Sequence, residues 1–318
     1  MGGPASWGPD PRAELQERLR TDVARRSALS RRQARALDGV LHALRPDSMH
    51  ADIPPRTLVD YDLDAPDGPV AAIAVGELDA PTHMTWQVSG MGITAHTAAW
   101  GSAREAGDLL LAQRRAGAPR PCVVAWLGYP APPWWRVLGE GPARRGAVRL
   151  HAQLQTWARR PRPPHAAVGP AVHTAMEAHS YGTLVAAHAL AGEAAGAAPR
   201  PRVDVLALSG AVGLPRRLAR TLAGPDRAVG TVFEARAPGD RLAWVGRVLA
   251  GRSPWEGAAV LPVRADETAG LTGIRGHNSA RWRPEAGGTA PRGYRDPGTV
   301  TLTALGRVTA GRGLDPRP

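Results

Sequence analysis

From residue 70 onward the chain alternates short, continuously apolar runs with longer stretches in which apolar residues recur every three to four positions. The first kind predicts strands at 70–75, 84–88, 123–127, 172–177, 203–208, 231–235 and 258–263. The second predicts helices at 97–116, 146–159, 182–195, 214–223 and 241–250. Strands that are apolar on both faces and separated by helices belong in a mostly parallel sheet with helices on both faces, an α/β architecture. Pro262 withholds an N–H from the last strand and so puts that strand at an edge. Upstream, residues 11–45 read as two helices, one with the stripe Leu15, Leu19 and Val23, the next with Leu37, Leu41 and Leu44. Ser30 and Gln33 have the spacing of a capping box at the start of the second. The Pro- and Asp-rich stretch 45–67 reads as a connector, and the Gly- and Pro-rich tail beyond 281 carries one strand-like run at 300–305. The predicted division is an N-terminal helical segment 1–50, an α/β domain 51–290 and a tail 291–318 with at most one short strand.

Composition adds little to this picture but removes several alternatives. The 318 residues are 43% apolar, enough for one large core or two small ones. The net charge is +12 and all 40 basic residues are arginine, which fits the coding bias of a GC-rich genome. Those arginines are interleaved with Asp and Glu, and the densest groups, such as Arg25-Arg26 and Arg31-Arg32, have no aromatic platform beside them. This argues against a nucleic-acid partner. The single cysteine, Cys122, excludes an internal disulfide and any Cys-rich metal site, and heads an apolar run as a small buried thiol would. The N-terminus has no basic segment followed by an apolar core, and no stretch approaches the ~18 apolar residues of a membrane span. The expectation is a cytoplasmic protein with no transmembrane segment. His173, Glu177 and His179 fall on one face of a strand inside a covered sheet, without the helical His-Glu-x-x-His spacing, so neither a metal nor another cofactor is expected. A phosphate loop with its lysine is impossible in a chain without lysine.

The chemistry concentrates at Ala178-His179-Ser180-Tyr181-Gly182, between an apolar strand and an Ala-rich helix. A serine hydroxyl becomes a useful nucleophile when a tight strand-to-helix turn exposes it to a base and to backbone N–H groups. Such a turn needs small residues two positions before and after the serine, here Ala178 and Gly182. The acid and the base of such a site follow the serine in that order, on loops after later strands. Asp240 follows the strand ending near Ala235, and His277 stands in a Gly-bordered loop after the last strand. Asp204 lies at the wrong end of its strand, Asp266 and Glu267 come too late, and His179 faces away from the serine. His173 and His188 fall within the elements flanking the turn. The oxyanion of acyl transfer needs fixed N–H donors. Tyr181, directly after the nucleophile, supplies one, and Met91, in the turn Ser89-Gly90-Met91-Gly92 after an early strand, supplies the other.

Five segments together resemble a family of actinobacterial α/β-hydrolases catalogued as a domain of unknown function. They are Val75-Gly76, Ser89-Gly90-Met91-Gly92, Gly128-Tyr129-Pro130-Ala131-Pro132, His179-Ser180-Tyr181-Gly182 and Gly276-His277. The resemblance spans roughly residues 50 to 285. It implies the α/β-hydrolase fold and a Ser180, Asp240, His277 triad, and it implies no substrate. The chain departs from the family pattern at Ala178, usually Gly, at Ser89, usually Pro, and at Ser279-Ala280-Arg281, where an aromatic usually follows the histidine. Tyr129, Trp134 and Trp135, on a proline-stiffened loop, are candidates to line an acyl pocket.

The function these residues point to is a serine hydrolase acting on a small-molecule ester, thioester or amide, with esters favoured as the easier substrates. The alternative is a non-catalytic scaffold of the same fold that binds an anionic partner through its basic surface. Transfer of the acyl group to a second hydroxyl is a third possibility. The N-terminal helices have three possible places, as a lid on the site, against the sheet, or on a partner.

Overall fold

The computed structural model describes residues 11–46, 51–129, 138–160, 171–192, 200–224, 228–280 and 292–314. Two helices, α1 (Pro11–Ala24) and α2 (Arg31–Ala43), precede an eight-stranded sheet. Its strands are β1 (Arg56–Asp62), β2 (Val70–Gly76), β3 (His83–Val88), β4 (Pro121–Leu127), β5 (His173–His179), β6 (Val203–Ser209), β7 (Val229–Ala235) and β8 (Ala259–Val260). The spatial order is β1-β2-β4-β3-β5-β6-β7-β8. From β4 to β8 all neighbours are parallel, and only β2 runs the other way.

The helices cover both faces, as continuously apolar strands require. On one face α4 (Gly141–Ala158), α5 (Gly182–Ala191) and α6 (Arg216–Ala223) close over Met84, Trp86, Val124, Trp126, Met176 and Leu206. On the other, α3 (Ala95–Arg115) and a last helix, α8 (Val300–Thr309), pack against Val123, Ala125, Ala175, Val205 and Ala207. The remaining helix, α7 (Arg241–Leu249), buries only Ala243. Cys122 is fully buried in the first core, and burial pushes its thiol up to about 12, so it is an inert filler.

Of the three placements open to the N-terminal helices, the structure has them docked on the sheet. Ala36, Leu37, Val40 and Ala43 of α2 form a third core with Leu58, Tyr61, Ala71 and Ile73 of β1 and β2 and with Ala95, Ala99 and Ala103 of α3. The Ser30–Gln33 capping box is present. The α1 stripe is narrower than expected: Leu15 and Leu19 pack against this core, whereas Val23 is exposed and Asp22 is the buried residue, paired with Arg25.

Three elements differ from the sequence expectation. Residues 56–62, read as connector, form edge strand β1. A register shift between Leu58 and Asp60 breaks its two-residue alternation, which hid the strand. The run 300–305, read as a strand, is the start of helix α8. Its Val-Thr-Leu-Thr alternation mimics a strand, but Thr299 caps the helix by accepting from the Leu302 N–H at 3.1 Å and burial against α3 fixes the rest. The strand expected at 258–263 shrinks to Ala259–Val260, at the edge where Pro262 puts it. Among the described residues no helix is long and apolar enough to cross a membrane.

Because α2 shares a core with the sheet, Leu37→Ala, at a fully buried position, should lower the unfolding free energy by about 2–5 kcal/mol. Urea denaturation followed by far-UV circular dichroism should show this as one shifted transition, not as separate loss of the N-terminal helices.

Candidate active site

The chain leaves β3, forms α3 and returns on one side as β4; it then forms α4 and crosses back to place β5 on the other side of β3. Connections that part in this way leave a crevice at the carboxyl ends of the strands. Two segments meet there, the turn after β3 (Ser89 to Gly92) and the turn after β5 (Ser180).

Ser180 has φ 55°, the one non-glycine described residue in the left-handed region. Such a backbone costs about 1–3 kcal/mol and persists only where its surroundings hold it. Here the Ser180 N–H donates to the Ser209 carbonyl at 2.9 Å, and the Thr183 N–H and hydroxyl both donate back to the Ser180 carbonyl at 3.1 and 2.7 Å. Helix α5 starts so close to β3 that a Cβ on Gly182 would lie 2.5 Å from the Ser89 carbonyl oxygen and 2.8 Å from that of Val88. A Cβ on Gly90 would lie 2.8 Å from the Ser180 Cβ, so glycine there lets the β3 turn come against the serine. Ala178 is fully buried, and its methyl is accommodated in the core where the family pattern has glycine.

Three of the predicted side chains come together. Ser180 Oγ lies 2.7 Å from His277 Nε2, and His277 Nδ1 lies 2.7 Å from Asp240 Oδ1. Asp240 is also the N-cap of α7, accepting from the Ala243 N–H at 2.9 Å, while its second oxygen accepts from the Tyr294 hydroxyl at 2.9 Å. Burial disfavours the charge on Asp240, but the hydrogen bonds from His277, Ala243 and Tyr294 outweigh it and hold the carboxyl below its usual range. The serine and the carboxylate are buried and the imidazole is partly open.

Residues 64–250 match the profile of a family described as alpha/beta hydrolase. The chain belongs to the alpha/beta hydrolase family. The matched stretch contains Ser180 and Asp240 and stops before His277. No curated protein matches the sequence. Similar solved structures include an arylesterase, 11% identical over 95% of this chain and 98% of that one, with a TM-score of 0.45. A carboxyl esterase from the mycorrhizal fungus Tuber melanosporum is 13% identical over 95% and 98%, TM-score 0.45. An esterase from Mycobacterium marinum is 15% identical over 93% and 88%, TM-score 0.43.

The other site candidates are distributed differently. Tyr181 opens α5, where the first N–H groups of a helix lack intrahelical acceptors. Met91 sits inside the turn closed by the Ile93 N–H donating to the Gly90 carbonyl at 3.4 Å. Tyr129 is buried instead of lining an open cleft. Its ring stacks between Trp126 and Tyr181, and its hydroxyl donates to the Ser89 carbonyl at 2.9 Å, bracing the β3 turn from behind. Trp134 and Trp135 lie outside the described residues.

Sequence reasoning missed a second layer behind the serine. The Ser209 hydroxyl donates to Glu177 at 2.8 Å and lies 3.2 Å from Nδ1 of His179. Burial drives His179 well below the ordinary imidazole value, so its ring is neutral. Burial likewise raises Glu177, against the pull of Arg295, whose guanidinium pairs with Glu177 and, at 2.7 Å, with Glu105. Arg295 and Tyr294 both come from the tail. A carboxylate between the buried apolar residues Met176 and Ala178 of β5 was the signal in the sequence for a buried cation.

Tyr294→Phe removes one donor from the Asp240 carboxylate. Near neutral pH it should lower stability by about 1.5–3 kcal/mol. A depressed carboxylate contributes stability above its unfolded value of ~3.9 and loses it as pH falls through the lower folded value. The gap between wild type and variant should therefore be full at pH 7 and narrow below pH ~4, as thermal melts across that range would show.

Proposed function

We propose that the protein is a serine hydrolase that cleaves an ester, thioester or amide of a small molecule through an acyl-enzyme on Ser180. The observation that carries this reading is the unbroken chain of short hydrogen bonds from Ser180 Oγ through both nitrogens of His277 to Asp240.

In this mechanism Ser180 Oγ attacks the acyl carbon while His277 Nε2 takes its proton. Asp240 holds the Nδ1–H tautomer and stabilises the imidazolium that forms. The carbonyl oxygen, now negative, is received by the backbone N–H groups of Met91 and Tyr181. When the intermediate collapses, the bond to the leaving group breaks and His277 returns the proton to that group. Water then attacks the acyl-enzyme with His277 again as base, releasing the acid and restoring Ser180. Esters are favoured over amides because an alkoxide is the easier leaving group. The left-handed backbone of Ser180 supports the same reading, since it is strain placed at the one residue that must project into the crevice.

Steady-state hydrolysis of a short-chain nitrophenyl ester tests it. Ser180→Ala and His277→Ala should each lower kcat by a factor on the order of 10⁶, and Asp240→Asn by a factor on the order of 10⁴, while leaving the fold intact. Undiminished turnover in Ser180→Ala would place the nucleophile elsewhere, and a wild type with none across a panel of acyl esters would point to a binding scaffold.

A further inference from the structure

Helix α7 carries its apolar residues on the wrong side for a core. Its inward contact is Ala243, whereas Leu242, Trp244, Val245, Val248 and Leu249 are 62, 59, 39, 58 and 65% exposed. At about 100° per residue these five side chains fall within an arc of about 160° centred opposite Ala243. The whole solvent-facing side of the helix is therefore apolar, apart from Arg241 at its first turn. Five large side chains bare to this degree expose on the order of 500 Å², near the upper end of the ~300–600 Å² that a monomer leaves uncovered, and patches of this size mark interaction surfaces.

We propose that this face of α7 docks the protein on an anionic lipid surface. Three observations select that occupant. The patch is smaller than the ~800 Å² per partner of a standard protein interface, so a second copy would be held weakly, and two chains of +12 repel one another. Exposed Arg241 lies within the apolar arc, and exposed Arg275 stands beside the start of the helix, where its carbonyl oxygen closes on Gly239. A tryptophan and aliphatic side chains with arginines at the N-terminal end of the patch are the composition of a helix lying in a headgroup layer. The helix also begins at Asp240, its N-cap, so docking brings the Ser180 crevice to the lipid boundary. Insertion of the face does not depend on the chemistry at Ser180. That the substrate is an ester held in that boundary rests on the hydrolase reading above.

Flotation of the purified protein with vesicles of phosphatidylglycerol and phosphatidylcholine, beside vesicles of phosphatidylcholine alone, tests the docking without any substrate. The wild type should float with the anionic vesicles, more strongly at low salt. Leu242→Gln/Leu249→Gln should lower the bound fraction at least tenfold, and Val248→Glu should do the same with an unchanged melting temperature, since all three side chains are exposed. No flotation of the wild type, or flotation that both variants retain, overturns the proposal. So does a wild-type dimer in sedimentation velocity that the double variant dissolves, because the face would then belong to a second copy. Loss of esterase activity in Ser180→Ala has no bearing on flotation, so the two readings fail separately.

Discussion

A serine held at φ 55° between a strand and a helix persists only because its neighbours leave it no other conformation. The Ser209 carbonyl fixes its N–H, Thr183 fixes its carbonyl, and the Val88 and Ser89 carbonyls press against Gly182 from the next strand. Each of these contacts follows from β3 and β6 flanking β5, and so from the order of strands in the sheet. The same order delivers the two later loops. Asp240 ends the connection from β7 into α7, and His277 comes from the segment after β8. The hydrogen-bond chain from Ser180 to Asp240 depends on that strained residue staying where the sheet puts it.

Behind the serine lies a buried polar layer, His179, Ser209, Glu177 and Arg295, with the partly buried Glu105 at its margin. Buried charges are costly unless paired, and this layer pairs them across parts of the chain far apart in sequence. Arg295 ties the tail to β5, and Tyr294 ties it to Asp240. The tail is thus part of the scaffold of the site, and α8 is packed into the core on the same side as α3. Toward the β1 edge α2 shares a core with β1, β2 and α3, so both ends of the chain pack on the α3 face of the sheet.

What could be read in the sequence followed local physics. Apolar runs revealed six of the strands, most plainly β2 and β4, whose residues are buried on both faces. The small residues around Ser180 revealed the turn because only close-packed backbone demands them there. Chain order made Asp240 and His277 candidates, and the structure brings both side chains to Ser180. The elements that escaped were those decided by distant contacts. β1 lost its alternation to a bulge, and 300–305 became helical through a cap and a partner helix that no local pattern announces. Tyr294 and Arg295 sit in a Gly- and Pro-rich stretch that locally resembles a loose end. Tyr129, read as a pocket wall, became a brace once its hydroxyl found the Ser89 carbonyl.

The central claim is that His277 activates Ser180 and no other hydroxyl. Incubation with a fluorophosphonate, followed by intact mass and peptide mapping, addresses it directly, because such a probe phosphonylates a hydroxyl that has been activated as a nucleophile. The account predicts one adduct, on Ser180, formed by the wild type and absent from Ser180→Ala and His277→Ala. An adduct at another residue, equal labelling of His277→Ala, or no labelling of the folded wild type would contradict it.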